Sequence, residues 1–156
     1  MSIGIGGCAE FFSQCPDSDI NEELSYENHR IEDGGGYTGD DIALLFTSVP
    51  EIDDDLKRVL DKDGIEFVAE TDFDEYSVVI VQVGSSVGSS ELEVLGVGRE
   101  DQTTIRVYTC VADESGTDDW YPRTQVLRVD HEGQVPESAV GTHFKEDNEI
   151  SFNRID

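Results

Sequence analysis

A serine flanked by glycines is the first feature of this sequence that suggests catalysis. Residues 84–88 read Gly-Ser-Ser-Val-Gly, and Asp130 and His131 lie downstream. In α/β hydrolases the pattern Gly-x-Ser-x-Gly holds a nucleophilic serine at a turn from strand to helix, where Asp and His activate it. Here the residues that follow alternate like a strand, and the chain is short for that fold. The sequence therefore favours a hairpin loop, with a small serine hydrolase that uses Ser86 as the alternative.

Acidic residues near position 60 are similar to part of a calcium loop. Asp61, Asp63, Gly64 and Glu70 occupy its third, fifth, sixth and twelfth positions, but the first position is Val59. A valine offers no side-chain oxygen to the ion, so an ordinary helix end is favoured. The three cysteines, at positions 8, 15 and 110, show no Cys-x-x-Cys spacing, and with three histidines they form no zinc pattern. We therefore predict neither a metal site nor a cofactor.

Cys8 is a candidate for lipid attachment. Residues 5–8 read Ile-Gly-Gly-Cys, which resembles a lipobox, the small-residue site at which lipoproteins are cut before a lipidated cysteine. A signal peptide also needs a charged start and an apolar run of about 7–15 residues, whereas only Ile3 and Ile5 come before Cys8 as aliphatic residues. Lipidation and a plain glycine-rich start both stay open. With lipid on Cys8, Cys15 and Cys110 are the remaining disulfide pair; without it, Cys110 is a buried apolar residue.

Trp120 and Tyr121 are the candidate binding residues. They lie in a polar stretch, residues 113–123, that is predicted to be a loop. Exposed aromatic side chains on a loop can anchor a partner protein, and otherwise such a pair packs over the end of a sheet. The predicted partner is another protein at the cell surface.

The charge of the chain is strongly negative and evenly spread. Asp and Glu total 36 against 10 Lys and Arg, so the formal net charge is -26. At about 0.15 M ionic strength the Debye length is about 8 Å, and this charge opposes a compact state; in molar salt the length falls to about 3 Å and the repulsion is screened. We therefore predict adaptation to a salt-rich environment. A mimic of nucleic acid is the alternative, and nucleic-acid binding is disfavoured because phosphate contacts need positive charge.

Turn residues divide the chain into one helix and about seven strands. Ser48 can cap a helix over about 50–62, which the apolar residues at 52, 56, 59 and 60 support and Gly64 would end. The predicted strands are residues 41–47, 65–69, 76–83, 91–97, 103–112, 125–131 and 149–155.

The predicted fold is mainly β, an antiparallel sandwich or partly open barrel of about seven strands with one α-helix. Residues 1–29 are expected to form an N-terminal tether, and residues 30–156 a single β-rich domain. No apolar run of 18 or more residues exists, so no segment is expected to span a membrane.

The strands from residue 76 to residue 129 resemble the C-terminal domain of PrcB-like proteins, a family named after a subunit of a bacterial surface protease complex. The similar features are Asp72-Phe73 before the apolar run at 77–84, strands at 92–97 and 105–111, and Tyr121-Pro122 before the strand at 126–129. The resemblance implies a small, non-catalytic, extracytoplasmic domain that supports or binds other proteins, and it names no catalytic residues. A lipid anchor would be its link to the membrane, and a cytosolic domain is the alternative.

Overall fold

The computed structural model describes Cys15 and residues 20–31, 41–86, 92–111, 120–145 and 148–153. Within these ranges the chain forms eight strands and two short helices. In chain order they are β1 (Tyr26–Ile31), β2 (Ile42–Phe46), α1 (Asp54–Val59), α2 (Lys62–Ala69), β3 (Tyr76–Ser86), β4 (Leu92–Arg99), β5 (Thr104–Val111), β6 (Trp120–Asp130), β7 (Ser138–Lys145) and β8 (Asn148–Asn153).

The strands form two four-stranded sheets, with orders β1-β6-β3-β2 and β4-β5-β7-β8. The predicted mainly β fold is confirmed, and of the two expected architectures the chain adopts the sandwich. One pair departs from the antiparallel prediction: β5 and β7 are parallel. The strand between them in sequence, β6, belongs to the other sheet, so β7 returns beside β5 in the same direction. Six of the seven predicted strands are confirmed.

The core has two layers because β3 is buried on both faces. Val79 and Val81 face the second sheet, whereas Val78 and Ile80 face the helices, and all four are fully buried. Successive side chains of a strand point to opposite faces, so a strand covered on both sides must be apolar throughout. This explains the unbroken apolar run that the sequence places in a central strand.

The helices begin at aspartates, and not at Ser48 as the sequence predicts. Asp53 caps α1 and accepts a hydrogen bond from the amide of Leu56 at 3.0 Å. Asp61 caps α2 and accepts from the amide of Gly64 at 2.6 Å. Aspartate is among the best N-cap residues, and here two caps close together split the expected single helix into two.

Residues 65–69 form the second half of α2, so the strand predicted there is wrong. Gly64 lies inside this helix and does not end it. A β-carbon at Gly64 would lie 2.7 Å from the end of the Ile31 side chain on β1. The glycine therefore lets α2 lie close against the first sheet, and packing on that sheet outweighs its low helix propensity.

The segment from Ile20 to Ile31 belongs to the sandwich, although residues 20–29 were assigned to the predicted tether. The amide of Leu24 donates to the carbonyl of Val97 at 2.8 Å, and the amide of Arg99 donates to the carbonyl of Glu22 at 3.1 Å. The chain then crosses to the first sheet, where β1 pairs with β6. The domain therefore includes residues upstream of the predicted boundary, and residues 1–14 lie outside the described ranges.

The strand β7 was missed as well. Its sequence, Ser-Ala-Val-Gly-Thr-His-Phe-Lys, contains a glycine and does not alternate clearly between apolar and polar residues.

In the described part of the chain, neither helix has the length and apolar character that crossing a membrane requires.

Candidate functional site

Ser86 and His131 lie at opposite ends of the β3–β6 ladder. Ser86 opposes Trp120, whereas Tyr76 opposes Asp130. The strand positions from Tyr76 to Ser86 span about 33 Å at a rise of about 3.3 Å per residue. Ser86 is the last residue of β3, and the residues that follow it, 87–91, lie outside the described ranges. The fold therefore does not bring the predicted base of a serine hydrolase to Ser86.

His131 is instead paired with a different serine. Its Nδ1 lies 3.0 Å from the hydroxyl of Ser77, and its Nε2 lies 3.0 Å from the backbone carbonyl of Asp74. A carbonyl can only accept, so Nε2 carries a proton, and in the neutral imidazole Nδ1 then accepts from the serine hydroxyl. Ser77 and His131 are 0 % and 1 % exposed, so no substrate reaches this serine. The pair holds the end of β3 to the turn after β6.

The calcium-like residues serve the helix. Asp61 is the N-cap of α2, and its carboxylate also lies 3.4 Å from Nε2 of His29. Glu70 is the C-cap of the same helix, so the residues between them are helical and do not form an ion-binding loop. Among the described residues, no group of three or more His, Cys, Asp or Glu side chains is arranged to hold a metal ion.

Trp120 and Tyr121 begin β6 and are not in a loop. They oppose Ser86 and Ser85 on β3. The two neighbouring strands stop short of them, because β2 pairs with β3 as far as Gln82 and β1 pairs with β6 as far as Thr124. The backbone therefore places the aromatic pair on a two-stranded extension of the first sheet, and the orientation of these side chains lies outside the described residues.

Cys15 and Cys110 form a disulfide, with their Cα atoms 5.6 Å apart. This is the pair that the sequence leaves when Cys8 is assigned to lipid. Cys110 is 1 % exposed on β5, so the bond ties the segment before the first strand to the second sheet. Cys8 itself lies outside the described residues.

A cleft of about 570 Å³ opens between the end of β2 and the segment that leads into β7. We call it the β2 cleft. One wall is Ala43, Leu45 and Thr47, and the other is residues 135–139. This volume falls within the range of small-ligand and side-chain pockets. Sequence reasoning missed the site because its walls are about 90 positions apart and meet only through the packing of the two sheets.

The lining of the β2 cleft mixes polar and apolar groups. Two large aliphatic residues are markedly exposed in the described part of the chain: Val49, at 64 %, and Val135, at 50 %. Val135 lines the cleft, and Val49 follows Thr47 by two positions. In so acidic a chain, an exposed valine in the wall of an open cleft is suited to contact with an apolar group.

A smaller hollow of about 210 Å³ lies near the opposite edge and contains Arg99 and Arg106. Arg106 forms two hydrogen bonds with Glu100, at 3.0 and 2.7 Å, and one with Thr142 at 2.7 Å. Arg99 donates to the backbone carbonyls of His131 and Gln134 at 2.8 and 3.1 Å. These arginines hold the turns of the sandwich together, and Glu100 already neutralises one of them.

Comparison of the chain with protein-family models, with curated proteins and with solved structures finds no match. The resemblance to PrcB-like domains therefore stays a prediction.

Proposed function

We propose that this chain is a non-catalytic, salt-adapted extracytoplasmic domain that binds or supports another protein and is anchored through lipid on Cys8. The disulfide between Cys15 and Cys110 carries the proposal. Disulfides form and persist outside the cytosol, where thiols are not kept reduced. A cytosolic domain, which is the alternative, would hold the same two residues as free thiols.

The disulfide is placed where the fold depends on it. It closes a sequence separation of 95 residues, and it links the segment that enters the first sheet to a strand of the second. In the chain-entropy model, a loop of this length contributes about 4–5 kcal/mol to stability. This is a large part of the about 5–15 kcal/mol that stabilises a typical domain, so the fold suits a compartment that keeps the bond oxidised.

The anchor and the disulfide together would hold the domain close to a membrane. Cys8 precedes Cys15 by seven positions, and an extended chain covers at most about 3.6 Å per residue. Lipid on Cys8 would therefore lie within about 25 Å of the disulfide. The diacylglycerol that lipoproteins carry on this cysteine has two acyl chains, which suffice for stable anchoring.

Binding, and not catalysis, is supported by what the described surface offers. The described residues form two pairs of a hydroxyl with a histidine, Ser77–His131 and Thr109–His143, and both are buried. Ser86 lies far from His131. The β2 cleft, in contrast, is open and has a partly apolar rim. The net charge of -26 supports the salt-rich setting, since screening removes the self-repulsion of such a surface.

The test is a thiol count on protein made from its own gene in its own cells. Cells are lysed in a thiol-trapping reagent under denaturing, non-reducing conditions, and the peptides are identified by mass spectrometry. We expect a linked peptide that contains Cys15 and Cys110, and a lipid mass on Cys8. Trapped thiols at all three cysteines would reject the extracytoplasmic location, and a linked pair with unmodified Cys8 would reject the anchor alone.

A further inference from the structure

We infer that the outer edge of β2, together with the β2 cleft, binds an extended segment of a partner protein that carries Lys or Arg beside small apolar residues. The inference rests on the proposed role in binding another protein, and it names the surface and the chemistry of the partner. Three observations support it: the composition of the sheet edges, the position of the cleft, and the charge around it.

The composition of β2 distinguishes it from the other edge strands. Four strands end the two sheets, namely β1, β2, β4 and β8. Three of them carry charged residues that discourage pairing, whereas β2, Ile42–Phe46, contains none. The charged residues are Glu27 and Arg30 on β1, Glu93 and Arg99 on β4, and Glu149 on β8. Residues 22–24 also cover part of β4. Proteins commonly protect sheet edges with charge or cover, so the uncharged edge of β2 is the one that accepts a further strand.

The β2 cleft lies where an added strand would place its side chains. Ala43 and Leu45 are alternate residues of β2, and both point toward the second sheet and line the cleft. A strand paired with β2 would present alternate side chains in that same direction. One or two of them would enter the cleft between Leu45 and Ala139, beside the exposed Val135. Pockets for alternate side chains are the usual source of specificity in strand addition.

The charge around the cleft selects a cationic partner. The residues that line it contain no Lys or Arg and one acidic residue, Glu137. The chain on either side of these residues adds further acidic side chains and no Lys or Arg over 41–53 and 130–139; these are Asp41, Glu51, Asp53, Asp130 and Glu132. Glu137 is itself part of the cleft wall and is exposed. In molar salt, attraction acts only over about 3 Å, so the cation must touch the carboxylate, which adds specificity of position.

The test uses the purified, oxidised chain and an array of random decapeptides in about 2 M KCl. We expect the peptides that bind to be enriched in Lys or Arg alternating with small apolar residues. Glu137→Lys should weaken their binding about tenfold or more, and Val135→Ser should also weaken it. Glu93→Lys is the matched control, because Glu93 is an exposed glutamate on β4 and its replacement changes the net charge equally. We expect it to leave binding within about twofold.

Amide hydrogen exchange with the best peptide locates the contact. Protection of residues 43–47 without change at residues 27–30 supports strand addition at β2. Any one of four results would overturn the inference. These are the absence of enriched peptides, enrichment of acidic peptides, equal losses of binding in Glu137→Lys and Glu93→Lys, and protection at β1. The assay is independent of cellular location, so its failure leaves the disulfide count and the proposed location standing, and the reverse also holds.

Discussion

The two edges of the first sheet, β1 and β2, are stabilised in opposite ways. β1 is polar and is held by specific contacts: Arg128 donates to Glu27 at 2.9 Å and to the carbonyl of Phe67 at 2.7 Å. β2 has no charged side chain and is held by burial, since Ile42, Ala43 and Leu44 are each less than 7 % exposed. α2 packs against one face of the polar edge, whereas the apolar edge borders an open cleft.

The contacts beneath β1 form one connected group centred on Phe67 of α2. The guanidinium of Arg128 lies 4.0 Å from the centre of this ring, and the ring of His29 stacks on it at 5.7 Å between centroids. Arg128 also donates to the hydroxyl of Thr71 at 3.0 Å. These contacts commit the helix side of β1 to the domain, whereas Glu27, Asn28 and Arg30 stay exposed. The comparison shows that charged and polar side chains protect the edge at β1, and that β2 has no such protection.

Replacing Arg128 should produce the largest loss and should act first on β1. The Arg128 side chain is 16 % exposed, and its hydrogen bonds join a strand and a helix. Hydrogen bonds of charged groups contribute about 1.5–3 kcal/mol each, with incomplete additivity, so Arg128→Ala should lower the free energy of unfolding by about 2–3 kcal/mol. Urea unfolding measures the loss, and amide exchange should show β1 opening more readily than β2.

Arg58→Ala is the control for this prediction. The Arg58 side chain is 64 % exposed and lies 3.8 Å from Asp55, so its removal should change stability by less than about 0.5 kcal/mol. Equal losses in Arg128→Ala and Arg58→Ala, or opening of β2 before β1, would show that polar contacts do not maintain the β1 edge.

The same contrast explains which elements could be predicted from the sequence. β2 and β3 are continuous apolar runs, which buried strands require, and both were predicted. β1 reads Tyr-Glu-Asn-His-Arg-Ile, and nothing in that sequence alone shows that Phe67 and Arg128 will cover it. The strand predicted at residues 65–69 is wrong for a related reason. Asp61 caps a helix there, and packing on β1 stabilises that helix.

The candidate site was less predictable than the fold. The cleft joins β2 to residues 135–139, and the segment 131–137 has no periodic pattern. The Gly-x-Ser-x-Gly pattern matches only over a short stretch of sequence. In the fold, the long antiparallel pairing of β3 with β6 places Ser86 far from His131. The disulfide was one of two alternatives that the sequence left open, since Cys15 and Cys110 were expected to pair only with lipid on Cys8.

Salt should stabilise the whole domain while widening the difference between the edges. Screening reduces the repulsion of a net charge of -26 across the surface, but it also weakens the partly exposed ion pair of Arg128 and Glu27. The first effect involves many more charges, so the midpoint of thermal unfolding should be higher in 3 M than in 0.1 M KCl. A gain of about 2 kcal/mol corresponds to about 4–8 °C for a chain of this size.

Calorimetry at the two salt concentrations measures this shift. Amide exchange should also show β2 gaining more protection than β1, since apolar burial does not depend on the ion pair. An unchanged midpoint would contradict salt adaptation, and equal gains at both edges would contradict the assignment of an electrostatic contribution to β1.

Alkaline pH should loosen β1 slightly and leave β2 unaffected, because only β1 contains a tyrosine. Burial, and to a smaller extent the charge of Glu23, raises the pKa of Tyr26 above its usual value of 10.0. The phenol donates to the carbonyl of Val94 at 3.3 Å, a bond that the phenolate cannot make. Since the folded pKa is the higher one, the stabilisation is complete below about pH 10 and is lost as pH rises through the folded pKa.

Tyr26→Phe should therefore remove a small alkaline decline in urea stability, of less than about 1 kcal/mol, because the side chain is partly exposed. The difference in absorbance between the wild type and Tyr26→Phe, followed at alkaline pH, should show a phenol that ionises above pH 10.0. A decline of equal size in the variant would assign the alkaline sensitivity to another part of the molecule.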